Sequence, residues 1–214
     1  MSREAAGFGP RFEVLDPAEL DRVATVYVPL TNAVRDLIEA TISTMADDDV
    51  VDRARSAIEE VTRSLREKTR PAGTSYVVDG RPLPLGNAAI GPCNAVAPPL
   101  VVHREPDGTC WSEFVLGAAY EGPPGLVHGG VSALVLDHIL GEAASVGMTK
   151  PRFTGTITVK YLRGTPLGPL RAEASIERSE GVKSYARGWI SDAKGITVEA
   201  DGVFIQPAWA RDTE

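Results

Sequence analysis

The sequence predicts an α+β chain: a curved antiparallel sheet wrapped around one long buried helix, preceded by an N-terminal helical hairpin. Three observations carry that expectation. The run from Val131 to Ala144 is apolar almost all the way round a helix, through Ala133, Leu134, Val135, Leu136, Ile139, Leu140 and Ala143, so it needs burial on every side. After it, apolar and polar residues alternate at period two through four segments divided by glycine and proline turns, the mark of a half-buried meander. Before it, two apolar stripes at helical spacing flank an acidic break. A sheet that curves around a helix supplies the enclosure such a helix requires.

Taken in order, residues 1–16 read as a loose tail. Asp16 is placed to cap a helix with Pro17 in its first turn, and Pro29 is expected to interrupt that helix. Leu30, Ala33, Val34, Leu37, Ile38, Thr41, Ile42 and Met45 mark the first stripe. Asp47, Asp48 and Asp49 break it, and Val50, Ala54, Ile58, Val61 and Leu65 mark the second, ending near Arg70 and Pro71. Residues 71–99, rich in proline and glycine, read as an extended connector. Leu100 to Glu105 and Thr109 to Ala119 form a hairpin about Pro106-Asp107-Gly108. Beyond the buried helix, strands are expected over Thr154–Leu162, Leu170–Glu177, Lys183–Ser191 and Ile196–Gln206. The resulting division is 1–70 (tail and helical extension), 71–99 (connector) and 100–207 (sheet and helix).

A chain of 214 residues buries one good core with room for an appendage. Its net charge of −7 argues against a nucleic-acid partner. The N-terminus lacks an apolar stretch of signal-peptide length and no run approaches a membrane span, so a cytoplasmic location is expected. Cys93 and Cys110 are too few for a disulfide framework. Three scattered histidines and two cysteines give no metal-ligand spacing, and there is no GxGxxG, Walker or GxSxG pattern.

One residue does not fit a plain core helix. Asp137 sits in the middle of the apolar run, where an unpaired carboxylate costs several kcal/mol. Ala133, Gly141 and Ala144 share its side of the helix and leave room for something to approach it. The sequence His128-Gly129-Gly130 opens the helix, where free N–H groups and the positive dipole end favour a developing negative oxygen. Gly129 and Asp137 are roughly 12 Å apart along one helix axis, too far to act on one small group. A two-fold dimer with antiparallel copies of the helix removes the difficulty, because each helix start then meets the partner's carboxylate.

The motif HGG, with an Asp nine residues after its His and YEGPPG before it, resembles that of the hotdog-fold acyl-CoA thioesterases. The likeness is nearest to the phenylacetic-acid-pathway (PaaI-like) type and its human mitochondrial relatives. It covers roughly Asn94 to Pro207, beginning with NAVAPPL. The resemblance implies a hotdog fold and hydrolysis of an acyl-CoA thioester, with CoA as part of the substrate and no separate cofactor. It implies a homodimer or a dimer of dimers, with neither nucleic acid nor membrane as partner. Asp137 becomes the group that activates water or attacks the carbonyl itself; the residues leave both routes open. Gly129 becomes the oxyanion donor through its backbone N–H. His128 is expected to hold the helix start rather than move a proton. Thr154, in FTGTITVKYLR, resembles a partner of the attacking water. Some relatives carry an Asn in the loop before HGG that helps hold the nucleophile; EGPPGL has none, so either Glu121 or Thr154 compensates or that help is absent.

Cations for the CoA phosphates are sought among Lys150, Arg152, Lys160, Arg163 and Arg187, with Arg152, Lys160 and Arg163 as the named candidates; each is equally readable as a solvated surface charge. His138 points about 100° away from Asp137 around the helix and reads as a satisfied core or interface histidine, and His103 carries no signal. The helical hairpin reads as an appendage whose stripe packs on the main domain or on a second copy, or else as a lid over an acyl tunnel. Two other functions stay open: a hotdog acyl-CoA dehydratase, and a non-catalytic acyl-CoA-binding or assembly protein.

Overall fold

A computed structural model describes residues 11–14, 16–70, 74–78, 81–146 and 150–211. The N-terminal part runs β1 (Arg11–Val14), α1 (Pro17–Arg22), α2 (Val28–Ser43), α3 (Asp48–Arg66), β2 (Thr74–Val78) and β3 (Arg81–Leu83). The remainder runs β4 (His103–Arg104), β5 (Cys110–Leu116), α4 (Gly129–Ala144), β6 (Phe153–Tyr161), β7 (Gly168–Glu180), β8 (Lys183–Asp192) and β9 (Gly195–Ile205). A six-stranded antiparallel sheet of order β4-β5-β7-β8-β9-β6 packs one face on α4, which is the hotdog arrangement. Among the described residues no helix is long and apolar enough to cross a membrane.

The helix sits close to the sheet because the strands are paved with small residues beneath it. Ala172, Ala174, Ala186 and Ala200 are buried at 0–2% exposure. A Cβ added at Gly188 would lie 2.6 Å from the Glu173 carbonyl. Val135, Leu136, Ile139 and Leu140 are wholly buried, each stabilising the fold by roughly 1.5–3 kcal/mol through removal from water. Buried polar groups are satisfied: Thr165 donates to Thr197 (2.9 Å), and Thr197 in turn to the Ile190 carbonyl (3.1 Å). Arg152 caps the far end of α4 on the Ala144 carbonyl, where a cation also suits the helix dipole.

Four sequence expectations need correction. Residues 11–14 of the expected tail form β1, paired in parallel with β2; residues 1–10 and 15 lie outside the described residues. The expected extended connector is in part a sheet element: it supplies β2 and β3, which join β1 in a small three-stranded sheet. Pro29 does not break the helix. Val28 donates five residues back to the Val23 carbonyl, and the widened turn Val23–Tyr27 accommodates the proline's missing donor. The expected strand over Leu100–Glu105 pairs only at His103–Arg104, because Val101 N–H is taken by the Ser112 hydroxyl (3.1 Å). Asp16 does cap α1, accepting from Glu19 N–H at 2.8 Å.

The hairpin α2–α3 does not pack its stripe on the main domain. α2 is held to the body by polar contacts: Arg35 donates to the carbonyls of Asn94 and Ala97, and Glu39 accepts from Ala118 N–H at 3.1 Å.

On the inner side, Glu142 of α4 is only 7% exposed and pairs with Arg104 of β4. Arg104→Met strands that carboxylate and is expected to cost about 3 kcal/mol in urea unfolding. Adding Glu142→Leu should recover most of the loss; a single variant as stable as wild type would show that the pair does not hold β4 to α4.

Candidate active site

The start of α4 is built by the residue before it. His128 is the N-cap, and its Nδ1 accepts the Gly130 N–H at 3.0 Å, satisfying one of the orphan donors of the first turn. The ring is thereby held as a support for the helix start. The His128 backbone N–H donates to the Tyr120 carbonyl (2.9 Å), which fixes the entry of the chain. Glu121 closes the turn ahead of it by accepting from Gly125 N–H at 2.6 Å. The Gly129 N–H has no hydrogen-bond partner among the described residues. The carbonyl of the same glycine accepts from the Tyr161 hydroxyl at 2.8 Å, and a Cβ at Gly129 would meet that ring at 3.3 Å.

Two turns along the helix, Asp137 is half-buried and its Oδ1 accepts the Thr154 hydroxyl at 2.8 Å. Of the two residues expected to stand in for the missing loop Asn, Thr154 contacts Asp137, whereas Glu121 is spent on its own turn. The contact depends on an irregularity in β6. Strict alternation puts Thr154 with Thr156 and Thr158, away from Tyr161. The register slips between Thr154 and Thr156, and this bulge at Gly155 reverses the facing. Thr154 and Tyr161 therefore both reach α4. A Cβ at Gly155 would lie 2.8 Å from Ile205 and 3.2 Å from the Val203 carbonyl, so the bulge favours glycine. Sequence reading missed Tyr161 and the bulge; the isolated glycine inside a strand pattern was the available signal.

The other expected residues fall outside this pair of contacts. His138 points toward Glu142, 3.5 Å from its Oε1, and its buried Nε2 has no hydrogen bond. Burial lowers its pKa, so the imidazole is neutral near pH 7 and that contact is no ion pair; the expected satisfied histidine is corrected to an unsatisfied one. Burial likewise pushes the Cys110 thiol up to about 11. Arg163 is bound to both Asp192 oxygens (2.9 and 2.5 Å) and the Gly195 carbonyl. Arg152 is bound to Ala144 and Ser184, and Arg187 lies 3.5 Å from Glu199. Lys160, exposed on β6, has no hydrogen bond or ion pair among the described residues. His103 stacks on Trp111 on the sheet, at 4.2 Å between ring centroids.

Residues 124–199, which include HGG, Asp137 and Thr154, match the family model described as the thioesterase superfamily. The crystal structure of a thioesterase superfamily protein, RHA08564, aligns with a TM-score of 0.76 and 32% identity over 85% of this chain and 91% of its own. The chain belongs to the thioesterase superfamily. That alignment covers more than residues 100–207 can supply, so the likeness to this superfamily member extends into the N-terminal half. Acyl-coenzyme A thioesterase THEM4 of Xenopus laevis is 33% identical over 96 residues, 44% of this chain and 43% of its own. The chain thus spans less than half the length of that curated relative. The PaaI protein of E. coli is 14% identical over 51% of this chain and 80% of its own, with a TM-score of 0.47.

In this thioesterase-superfamily chain, Gly155→Val is expected to cost about 2 kcal/mol through overpacking at the bulge, and Thr154→Val about 1 kcal/mol. Both are read by chemical denaturation. A Gly155→Val protein as stable as wild type would show that the bulge does not require that glycine.

Proposed function

We propose that the chain hydrolyses an acyl-CoA thioester at a site shared by two protomers. The observation that carries this reading is the arrangement along β6. It is an edge strand of nine residues, paired only with β9. Near one end it holds Asp137 through Thr154, and at the other it holds Gly129 through Tyr161. Two-fold antiparallel pairing of this open edge with its copy sets the Thr154 end of one strand beside the Tyr161 end of the other. Asp137 of each protomer then faces the partner's helix start, which the spacing along a single helix forbids.

In that arrangement the thioester oxygen lies at the free Gly129 N–H, where the helix dipole and the unpaired donor stabilise the negative charge of the tetrahedral intermediate. Gly129 permits the approach because no Cβ stands in the way. Thr154 donates to one oxygen of Asp137, leaving the other to take a proton from the attacking water. The intermediate collapses with cleavage of the C–S bond; the acyl group leaves as the acid, and the CoA thiolate takes up a proton. Direct attack by Asp137, through an anhydride that water then opens, uses the same geometry. Of the three named candidates, Lys160 is left available for a CoA phosphate, whereas Arg152 and Arg163 are engaged within the chain. A dehydratase reading is disfavoured, since the His128 ring is taken by Gly130 and His138 points toward Glu142.

Free-thiol release from acyl-CoA is expected to fall by about 10²–10⁴ in Asp137→Asn, and wild-type turnover in that variant would remove the carboxylate from the mechanism. The shared site has its own test. Gly129→Pro deletes the N–H at a helix position that accepts proline. Mixing and re-annealing inactive Gly129→Pro with inactive Asp137→Asn should restore about a quarter of wild-type activity, from heterodimers with one intact site. No recovery would place both groups in one protomer.

A further inference from the structure

α3 is a helix without a packing partner in its own chain. None of its residues is buried, and it makes at most marginal contact with any other element among the described residues. Its sequence is nevertheless that of a packed helix. Val51, Ala54, Ile58, Val61 and Leu65 recur at alternating steps of three and four, a heptad seam. Ile58 remains 40% exposed, Val61 55% and Leu65 53%. Leu37 and Thr41 of α2 form the opposite wall of a groove against Val51, Ala54 and Ile58, about 320 Å³ in volume. A helix of this length is marginal in water unless its apolar face is covered.

The charges on α3 say what fits the groove. Its start is net acidic, Asp47, Asp48, Asp49 and Asp52 against Arg53 and Arg55, which pair with Asp49 and Asp52 in the same helix, and its end is net basic, Arg63, Arg66 and Lys68 against Glu67. That asymmetry suits the helix's own dipole. It also makes the helix complementary to itself when reversed: in an antiparallel pair, each acidic start lies against a basic end. Such a pair is two-fold, self-complementary and closed.

We propose that α2 and α3 form an interface with a second copy of this chain, in which the α3 of each copy lies antiparallel in the other's groove. The product is a four-helix bundle made of two hairpins. It uses no residue of β6, and it stands whether or not the chain hydrolyses thioesters. The extension of the superfamily likeness into the N-terminal half is consistent with a built structure there rather than a loose tail.

Cross-linking of the full chain tests this without reference to activity. In a Cys93→Ser background, Ile58→Cys places a thiol in the seam and Ser56→Cys places one on the outer face of the same helix. Cys110 stays silent because it is buried with its thiol pushed up to about 11. With a short bis-maleimide at low concentration, most Ile58→Cys chains should run at twice the chain mass on a denaturing gel, and Ser56→Cys chains at the single mass. Equal cross-linking of the two variants would overturn the interface. So would an Ile58→Cys protein that stays at the single mass, whether its thiol is open to a mono-maleimide or covered by its own chain.

Discussion

A helix with no polar face has to be enclosed, and one face of one sheet cannot enclose it. α4 meets this constraint on the sheet side by sinking onto alanines and glycines, so that Val135, Leu136, Ile139 and Leu140 lose all contact with water. Its flank runs beside β6, the edge strand, and there the apolar rule is broken by Asp137 and by the glycines of the first turn. The two exceptions lie on the side of the sheet's edge strand. Burial of the helix and openness of its edge are therefore one arrangement: the packing that fixes α4 also sets Asp137 and the first-turn glycines beside the sheet's edge strand.

The two carboxylates of α4 make the distinction plain. Glu142 is enclosed, bound to Arg104, with the neutral His138 beside it. A charge held that way is a structural member, and taking Arg104 away leaves Glu142 stranded in the core. Asp137 has a hydroxyl for a partner instead of a cation, and it keeps one oxygen for other work. A neutral donor orients a carboxylate without neutralising it. Both residues stand in the same apolar run, and only the partners supplied by β4 and β6 separate their roles.

Much of this was legible in the residues. The unbroken apolar run, the period-two segments and their glycine turns give the helix and the strands β6 to β9, because burial patterns are local and repeat. HGG with Asp137 at its spacing gives the two halves of the candidate site, since a carboxylate in an apolar run demands a reason. Other features were not legible because they are set by distant contacts. The pairing of residues 11–14 with residues 74–78 is long-range, and each segment is too short to signal itself. The Val23–Tyr27 turn that absorbs Pro29 is a choice between helical windings which no residue type dictates. Tyr161 looked like one more alternating apolar residue, and only the bulge at Gly155 puts it and Thr154 on the same side.

The helical extension is tied to the site by more than chain connectivity. Glu39 of α2 accepts the Ala118 N–H, Arg35 grips the Ala97 carbonyl, and the Tyr120 hydroxyl donates to that same carbonyl. The Tyr120 carbonyl then receives the His128 N–H, one residue before Gly129. α2 is thus braced against the loop that sets the entry angle of α4. A force that moves α2 is borne by residues 117–120 through these hydrogen bonds. α2 is thus linked to the segment that leads into the Gly129 N–H through a short run of hydrogen bonds rather than through the core. A helix that packed only on its own domain would have no need of such a brace; one that receives load from outside the protomer does.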